Sequence, residues 1–166
     1  VHRSILRRVG IETVNLYSAF VALSLGLLEE GGQLVAIIPR SFCNGPYYRP
    51  FRELMLSRAA LKHLHLFHAR NKAFRDDNVL QENIIIQLER GQQQGSVTVS
   101  ASTDDSFSDF VSRDYPFDSI VFPDDAERFI RVPTALNMAP AIQAATLMSS
   151  LADLDISVST GPVVDF

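Results

Sequence analysis

Cysteine is nearly absent: Cys43 stands alone among 166 residues. One thiol excludes an internal disulfide and a Cys-rich zinc site, so packing must hold the fold together. No apolar run approaches the roughly 18 residues of a membrane-crossing helix, which excludes a membrane partner of that kind. The opening Val1-His2-Arg3-Ser4 is basic rather than hydrophobic, unlike a secretion signal, and the cytoplasm follows as the default location. The first residue is not methionine, and a basic stretch leads straight into a helical pattern, as expected of a piece cut from a longer protein. With 46% hydrophobic residues, the chain is long enough to bury one globular core.

An overall positive charge is missing too, since the formal net charge is −4. That average conceals a division. Residues 1–75 hold 11 Lys/Arg against 4 Asp/Glu, a net of +7, while residues 76–166 hold 4 against 15, a net of −11. The sign changes at Arg75 and Asp76. A basic half fits a polyanionic partner, and it fits a solvated surface equally well.

Hydrophobic periodicity supplies the elements. Leu16, Tyr17, Phe20, Val21, Leu23, Leu27 and Leu28 recur at spacings of three and four, which predicts a helix over 12–30. Thr13 is its candidate N-cap and Gly31-Gly32 its stop. Residues 33–38 form a short branched run that reads as a strand buried on both faces of a parallel sheet. Pro39 ends it, 40–50 is a loop, and a helix follows over 49–58. Strands are predicted at 61–67 and 83–89, joined by a loop of about fifteen residues, a length usually kept for function. The turn 91–95 leads into a strand at 96–100. Residues 104–114 are acidic, serine-rich and expected to be exposed. A short strand at 119–122, a helix over 134–152 interrupted by Pro140, and strand character over 156–166 complete the pass.

Three blocks in this order resemble a known family. They are Asn15-Leu-Tyr-Ser-Ala-Phe20 with 28–42, Tyr47, Tyr48, Phe51 and Arg52; then Phe74, Val79 and Asn83-Ile-Ile-Ile-Gln-Leu88; and last Ser159-Thr-Gly-Pro-Val-Val-Asp-Phe166. Together they look like the later half of the catalytic domain in gamma-type adenine-specific DNA methyltransferases, the large methylases of restriction-modification systems. The resemblance implies an α/β fold holding the last three strands of a class I methyltransferase sheet. It places the Asn83 strand antiparallel between the Leu34 and Leu61 strands. It also divides the chain into the catalytic half (1–90), a strand and helix extension (91–155) and the start of a target-recognition region (156–166).

The activity implied is methyl transfer from S-adenosylmethionine to the N-6 amine of adenine in double-stranded DNA. The glycine-rich cofactor loop and ribose-binding acid of that family lie before this segment, so the cofactor would be held by the missing N-terminal half. The segment alone is expected to be inactive, with no catalytic, cofactor-binding or metal residue of its own. Asn44-Gly45-Pro46-Tyr47 imitates the catalytic tetrapeptide but follows the wrong strand. By resemblance Phe74 stacks on the flipped target base. Arg70, Lys72 and Arg75 would neutralise phosphates around it. Arg40, Ser41 and Asn44 follow a strand's carboxyl end, where ligands bind in open α/β sheets, and are candidates for the DNA cleft. Two other readings remain open: a methyltransferase acting on RNA or protein, and a non-catalytic interaction module that keeps half of the fold.

Other candidates read as structural. His63 and His65 share one strand face, with His68 just beyond, but no carboxylate is suitably spaced to complete a metal site. Cys43 reads as a small buried residue. The strand 34–38 is expected to expose one unpaired edge and to favour a homo-oligomer through it.

Overall fold

Asn15 opens the first long helix. Its side-chain oxygen accepts from the Ser18 backbone N–H at 3.1 Å, satisfying a donor that the first helical turn leaves without a partner. The helix runs Leu16–Leu27 (α2), after a short helix His2–Arg8 (α1). In this computed structural model the described residues are 2–8, 10–12, 15–68, 82–133, 149, 151 and 153–157. The elements that follow α2 are β1 (Gln33–Pro39), 3-10 turns at Arg40–Cys43 and Pro46–Tyr48, α3 (Arg49–Arg58), β2 (Ala59–Phe67), β3 (Asn83–Arg90), β4 (Val97–Ser102), β5 (Val111–Tyr115) and α4 (Phe117–Ile120).

The strands form one five-stranded sheet in the order β1-β3-β2-β4-β5. β3 lies antiparallel between β1 and β2, pairing Ile37 with Ile85 on one side and Leu64 with Ile86 on the other. This is the placement the family resemblance implied. β4 then adds in parallel beside β2, and β5 pairs antiparallel with β4. One face of the sheet builds the core. Ile84, Ile86, Leu88, Leu64 and Val99 are fully buried there with Leu25 of α2 and Phe51 and Met55 of α3. Burying each such side chain contributes about 1.5–3 kcal/mol relative to exposure.

Several expectations are corrected. β1 is not buried on both faces, because Val35 and Ile37 are 64% and 50% exposed and β1 is an outer strand among the described residues. A run of branched residues reports strand propensity, and it cannot report whether a neighbour is present. The α2 cap is Asn15, and Thr13 lies outside the described residues. Residues 104–114 are largely exposed as expected, yet their end joins β5, because backbone pairing with β4 needs no apolar sequence. The strand expected at 119–122 is instead the short helix α4, which follows Pro116 and buries Ile120. The helix expected over 134–152 and the strand character over 156–166 fall mostly outside the described residues.

The chain divides into two units, Val1–Thr134, which holds the sheet, and Ala135–Phe166. In the second unit, the Leu151 carbonyl accepts from the backbone N–H groups of Leu154 and Ile156. Among the described residues no helix is long and apolar enough to cross a membrane.

Candidate functional site

β1 and β2 both run antiparallel to β3, and β4 runs parallel to β2, so β1, β2 and β4 all point the same way. Their carboxyl ends therefore share one end of the sheet with the start of β3. That end carries the turns after Pro39, His68, Glu82 and the loop after Ser102. Backbone bonds tie it together: Arg40 donates to the Glu82 carbonyl at 2.7 Å and His68 to the Ser102 carbonyl at 2.9 Å. Open α/β sheets take their ligands beyond such ends.

Arg40, Ser41 and Asn44 all lie here. Arg40 places its guanidinium 3.3 Å from the Glu82 carboxylate, so part of its charge is spent within the chain. Ser41 and Asn44 are exposed. Around Ser41 the fold gathers residues distant in sequence. Its Oγ lies 3.4 Å from the Tyr17 hydroxyl of α2 and 3.5 Å from the Tyr48 hydroxyl. The two tyrosine rings stack with centroids 6.0 Å apart, and Asn15 Nδ2 donates to the Tyr48 hydroxyl at 2.8 Å. Burial raises the Tyr17 pKa well above its ordinary value, so this phenol remains a proton donor. Phe74, Arg70, Lys72 and Arg75 lie outside the described residues; the flanking His68 and Glu82 are both at this end.

The residue that shapes the site is one that sequence reasoning passed over. Arg52 on α3 is completely buried. It donates to the carbonyls of Phe42 at 2.9 Å and Gly45 at 2.8 Å, both in the turns beyond β1, and to the Glu127 carbonyl at 2.9 Å. Its other amine lies 3.7 Å from the Glu127 carboxylate, and its plane sits 4.8 Å from the Phe129 ring centre. Burial lowers its pKa, and Glu127 opposes that shift. Gly45 is required by close approach, since a Cβ there would meet the Ser41 carbonyl and the Tyr48 ring at 2.7 Å. Asn44-Gly45-Pro46-Tyr47 is thus a turn strapped to a buried arginine. Arg52 stood in the family-like block beside Tyr48 and Phe51, and its place on the helix three residues before Met55 was the only spacing signal that it is buried.

Cys43 is buried as expected, and burial pushes its thiol up to about 12. The histidines are held by serines. Ser102 Oγ donates to the Asp104 carbonyl at 2.8 Å, so it accepts from His65 Nε2 at 3.1 Å. His65 Nδ1 then accepts from Ser100 Oγ at 2.7 Å, and Ser100 accepts from His63 Nε2 at 2.7 Å. With both imidazoles neutral, this chain puts the proton of each on Nε2, and burial lowers both pKa values in keeping with the neutral form. Phe67, Phe107 and Phe110 surround His65 with ring centres 4.7, 5.1 and 5.8 Å away.

Residues 8–74 match the family model described as the Eco57I restriction-modification methylase. The family matched is that of restriction-modification methylases. Over 99% of its length the chain is 56% identical to the Type II methyltransferase M.BsuBI of Bacillus subtilis. It is 49% identical, again over 99% of its length, to the Type II methyltransferase M.PstI of Providencia stuartii. The chain spans 33% of the length of each of these relatives. Among solved structures, its fold resembles a modification subunit of a putative type I restriction enzyme from Vibrio vulnificus YJ016, with TM-score 0.56, 11% identity, and coverage of 87% of this chain and 34% of that one. It also resembles the type IIG restriction endonuclease BpuSI, with TM-score 0.54, 16% identity, and coverage of 69% and 16%. The methylase match includes Asn15, Tyr17, Ser41, Tyr48 and Arg52, whereas Glu127 and Phe129 lie beyond it but within the part shared with the two methyltransferases.

Proposed function

We propose that these residues form part of a site-specific DNA methyltransferase that moves a methyl group from S-adenosylmethionine to the N-6 amine of adenine. The observation that carries this reading is the 56% identity, along nearly the whole chain, to a Type II methyltransferase. In this reading residues 1–90 are the later half of the catalytic domain, 91–155 an extension, and 156–166 the start of target recognition. The whole protein works on DNA in the cytoplasm.

The cofactor supplies the methyl group. In this reading it is held by the part of the protein outside this segment, as the family resemblance implies, and this segment supplies the DNA side of the cleft. Phe74 stacks on the flipped adenine. Arg40, Arg70, Lys72 and Arg75 meet phosphates, and Ser41 and Asn44 line the cleft.

The test is methylation of duplex DNA by the full-length protein, followed by nucleoside analysis. N6-methyladenine confined to one sequence context supports the reading. Methylcytosine would sink the adenine assignment, and transfer only to RNA or protein would sink the DNA assignment. Phe74→Ala should cut methylation per folded molecule far more than it lowers the melting temperature.

A second copy is the occupant proposed for the open edge of β1 in the isolated segment. The two outer strands differ: β5 is short and carries Arg113 and Asp114, devices that discourage pairing, whereas β1 offers Val35 and Ile37. Light scattering across a dilution series should show mass falling toward the monomer, and a strict monomer at high micromolar concentration would refute self-association.

A further inference from the structure

We propose that the hydroxyls of Tyr17, Ser41 and Tyr48 form a phosphodiester-binding site, an uncharged grip on one phosphate of the DNA backbone. The proposal rests on the reading that this end of the sheet faces DNA, and it adds which chemistry holds the backbone there.

Hydroxyl pairs bond best at about 2.7–2.8 Å. Ser41 Oγ lies 3.4 Å from the Tyr17 hydroxyl and donates to that of Tyr48 at 3.5 Å, so the three oxygens converge through bonds well beyond the best hydroxyl distance. Asn15 Nδ2, by contrast, donates to the Tyr48 oxygen at a full-strength 2.8 Å. That bond uses a Tyr48 lone pair and leaves its proton pointing elsewhere. Among the described residues, no carbonyl or carboxylate accepts from any of the three hydroxyls. Three hydroxyls, joined to one another only by long bonds, therefore meet where a stronger acceptor can draw their protons away from those bonds.

A phosphate oxygen supplies that acceptor. Base edges mix donors with acceptors, whereas phosphodiester oxygens only accept, and serine and tyrosine hydroxyls commonly position proteins on the backbone. The cluster is also held in advance of binding. The tyrosine rings stack, Asn15 is fixed by accepting from Ser18 N–H and Ser18 Oγ, and Gly45 and Arg52 set the turn between Ser41 and Tyr48. Little ordering cost is left for the complex. Residues 1–75, which include all three hydroxyls, carry a net charge of +7.

Uncharged donors leave a distinctive signature. A cationic contact releases counterions, so removing it lowers the dependence of log affinity on log salt by about one, whereas losing a neutral donor leaves that slope intact. The experiment uses the full-length protein, duplex DNA and fluorescence anisotropy across a salt series. Tyr17→Phe and Tyr48→Phe each keep the ring and lose the proton. Each should weaken binding about tenfold on every sequence tested with unchanged slope; Tyr17→Phe should leave the melting temperature unchanged, whereas Tyr48→Phe should lower it slightly by removing the acceptor of Asn15. Arg40→Gln should lower the slope. A duplex carrying a neutral methylphosphonate at the contacted phosphate should erase the difference between wild type and the Tyr48→Phe variant. Wild-type affinity in both phenylalanine variants would overturn the proposal while leaving the DNA-facing reading intact. A loss confined to one sequence would also overturn it, by pointing to base contact. If the wild type fails to bind duplex DNA at all, the reading of this end falls, and the proposal falls with it.

Discussion

At one end of the sheet the chain turns on glycines, and at the other it turns on hydroxyls and a buried arginine. The glycine end is closed. Gly31 and Gly91 take left-handed backbone with φ of 78° and 73°, Gly31 N–H donates to the Arg90 carbonyl, and Arg90 N–H donates to that of Gly32. The Arg90 side chain caps α2, donating to the carbonyls of Leu25, Gly26 and Leu28, which the last helical turn leaves without partners. The other end directs its strongest donors inward through Arg52 and leaves its hydroxyls facing out. Both ends use an arginine on backbone carbonyls. Only one of them thereby holds a polar surface in place.

Arg52→Met should give the largest effect. It leaves the carbonyls of Phe42, Gly45 and Glu127 without their donor, each costing about 1–3 kcal/mol where it remains buried. Denaturant unfolding should show a loss of several kcal/mol. Arg90→Met is the matched change at the closed end. Its guanidinium is part-exposed, water can replace it, and the loss should be nearer about 1 kcal/mol. Equal losses would erase the distinction between the two ends.

A glycine pair sharpens the same contrast. Gly45→Ala introduces a carbon at 2.7 Å from the Ser41 carbonyl and the Tyr48 ring, so it should cost about 1–3 kcal/mol and shift the Tyr48 resonances. At Gly31 nothing lies within 4 Å of an added Cβ, and alanine should cost only the left-handed backbone penalty of about 1–2 kcal/mol. Tyr48 should not respond to it. A Tyr48 perturbation in both variants would contradict the assignment.

How far these features were readable beforehand varied with their physics. The presence of α2, the β1 run and the bounds of α3 follow from periodicity, which reports local structure directly, but α2 runs only Leu16–Leu27 and leaves Leu16, Phe20, Leu23 and Leu27 of the expected apolar stripe exposed, and burial along β2 does not alternate because its register shifts between Leu61 and His63. The insertion of β3 between β1 and β2 came through family resemblance, because long-range pairing leaves no trace in spacing. Arg52 was missed as a strut, since an arginine in a helix usually lies in water. Tyr17 and Tyr48 meet only after the chain passes through β1. β5 was missed because Val111-Ser-Arg-Asp-Tyr115 is a solvated edge whose strand character comes from its partner. Arg40, Ser41 and Asn44 were placed by strand order alone, and they lie at the end of the sheet that rule names.

The smallest effect is a pH dependence. Burial, then the nearby charges of His63 and His68, lower the His65 pKa below its ordinary 6.5, and burial likewise lowers that of His63 against the opposing pull of Asp114. The unfolded chain then binds protons more readily than the folded one. The histidine contribution to stability should be full above pH 6.5 and be lost as pH falls through the lower folded values. Unfolding free energy measured from pH 8 downward should decline below 6.5, and His65→Gln should flatten that decline. A wild-type curve with no slope in this window would refute the neutral chain through Ser100 and Ser102.

The account stands on the carboxyl end of the sheet facing DNA. Hydrogen exchange of the full-length protein with and without duplex DNA tests this most directly. Amides of residues 40–48 should gain protection on binding, while those of 28–32 and 91–95 at the closed end should exchange as before. Protection at the glycine turns with none at residues 40–48 would contradict it.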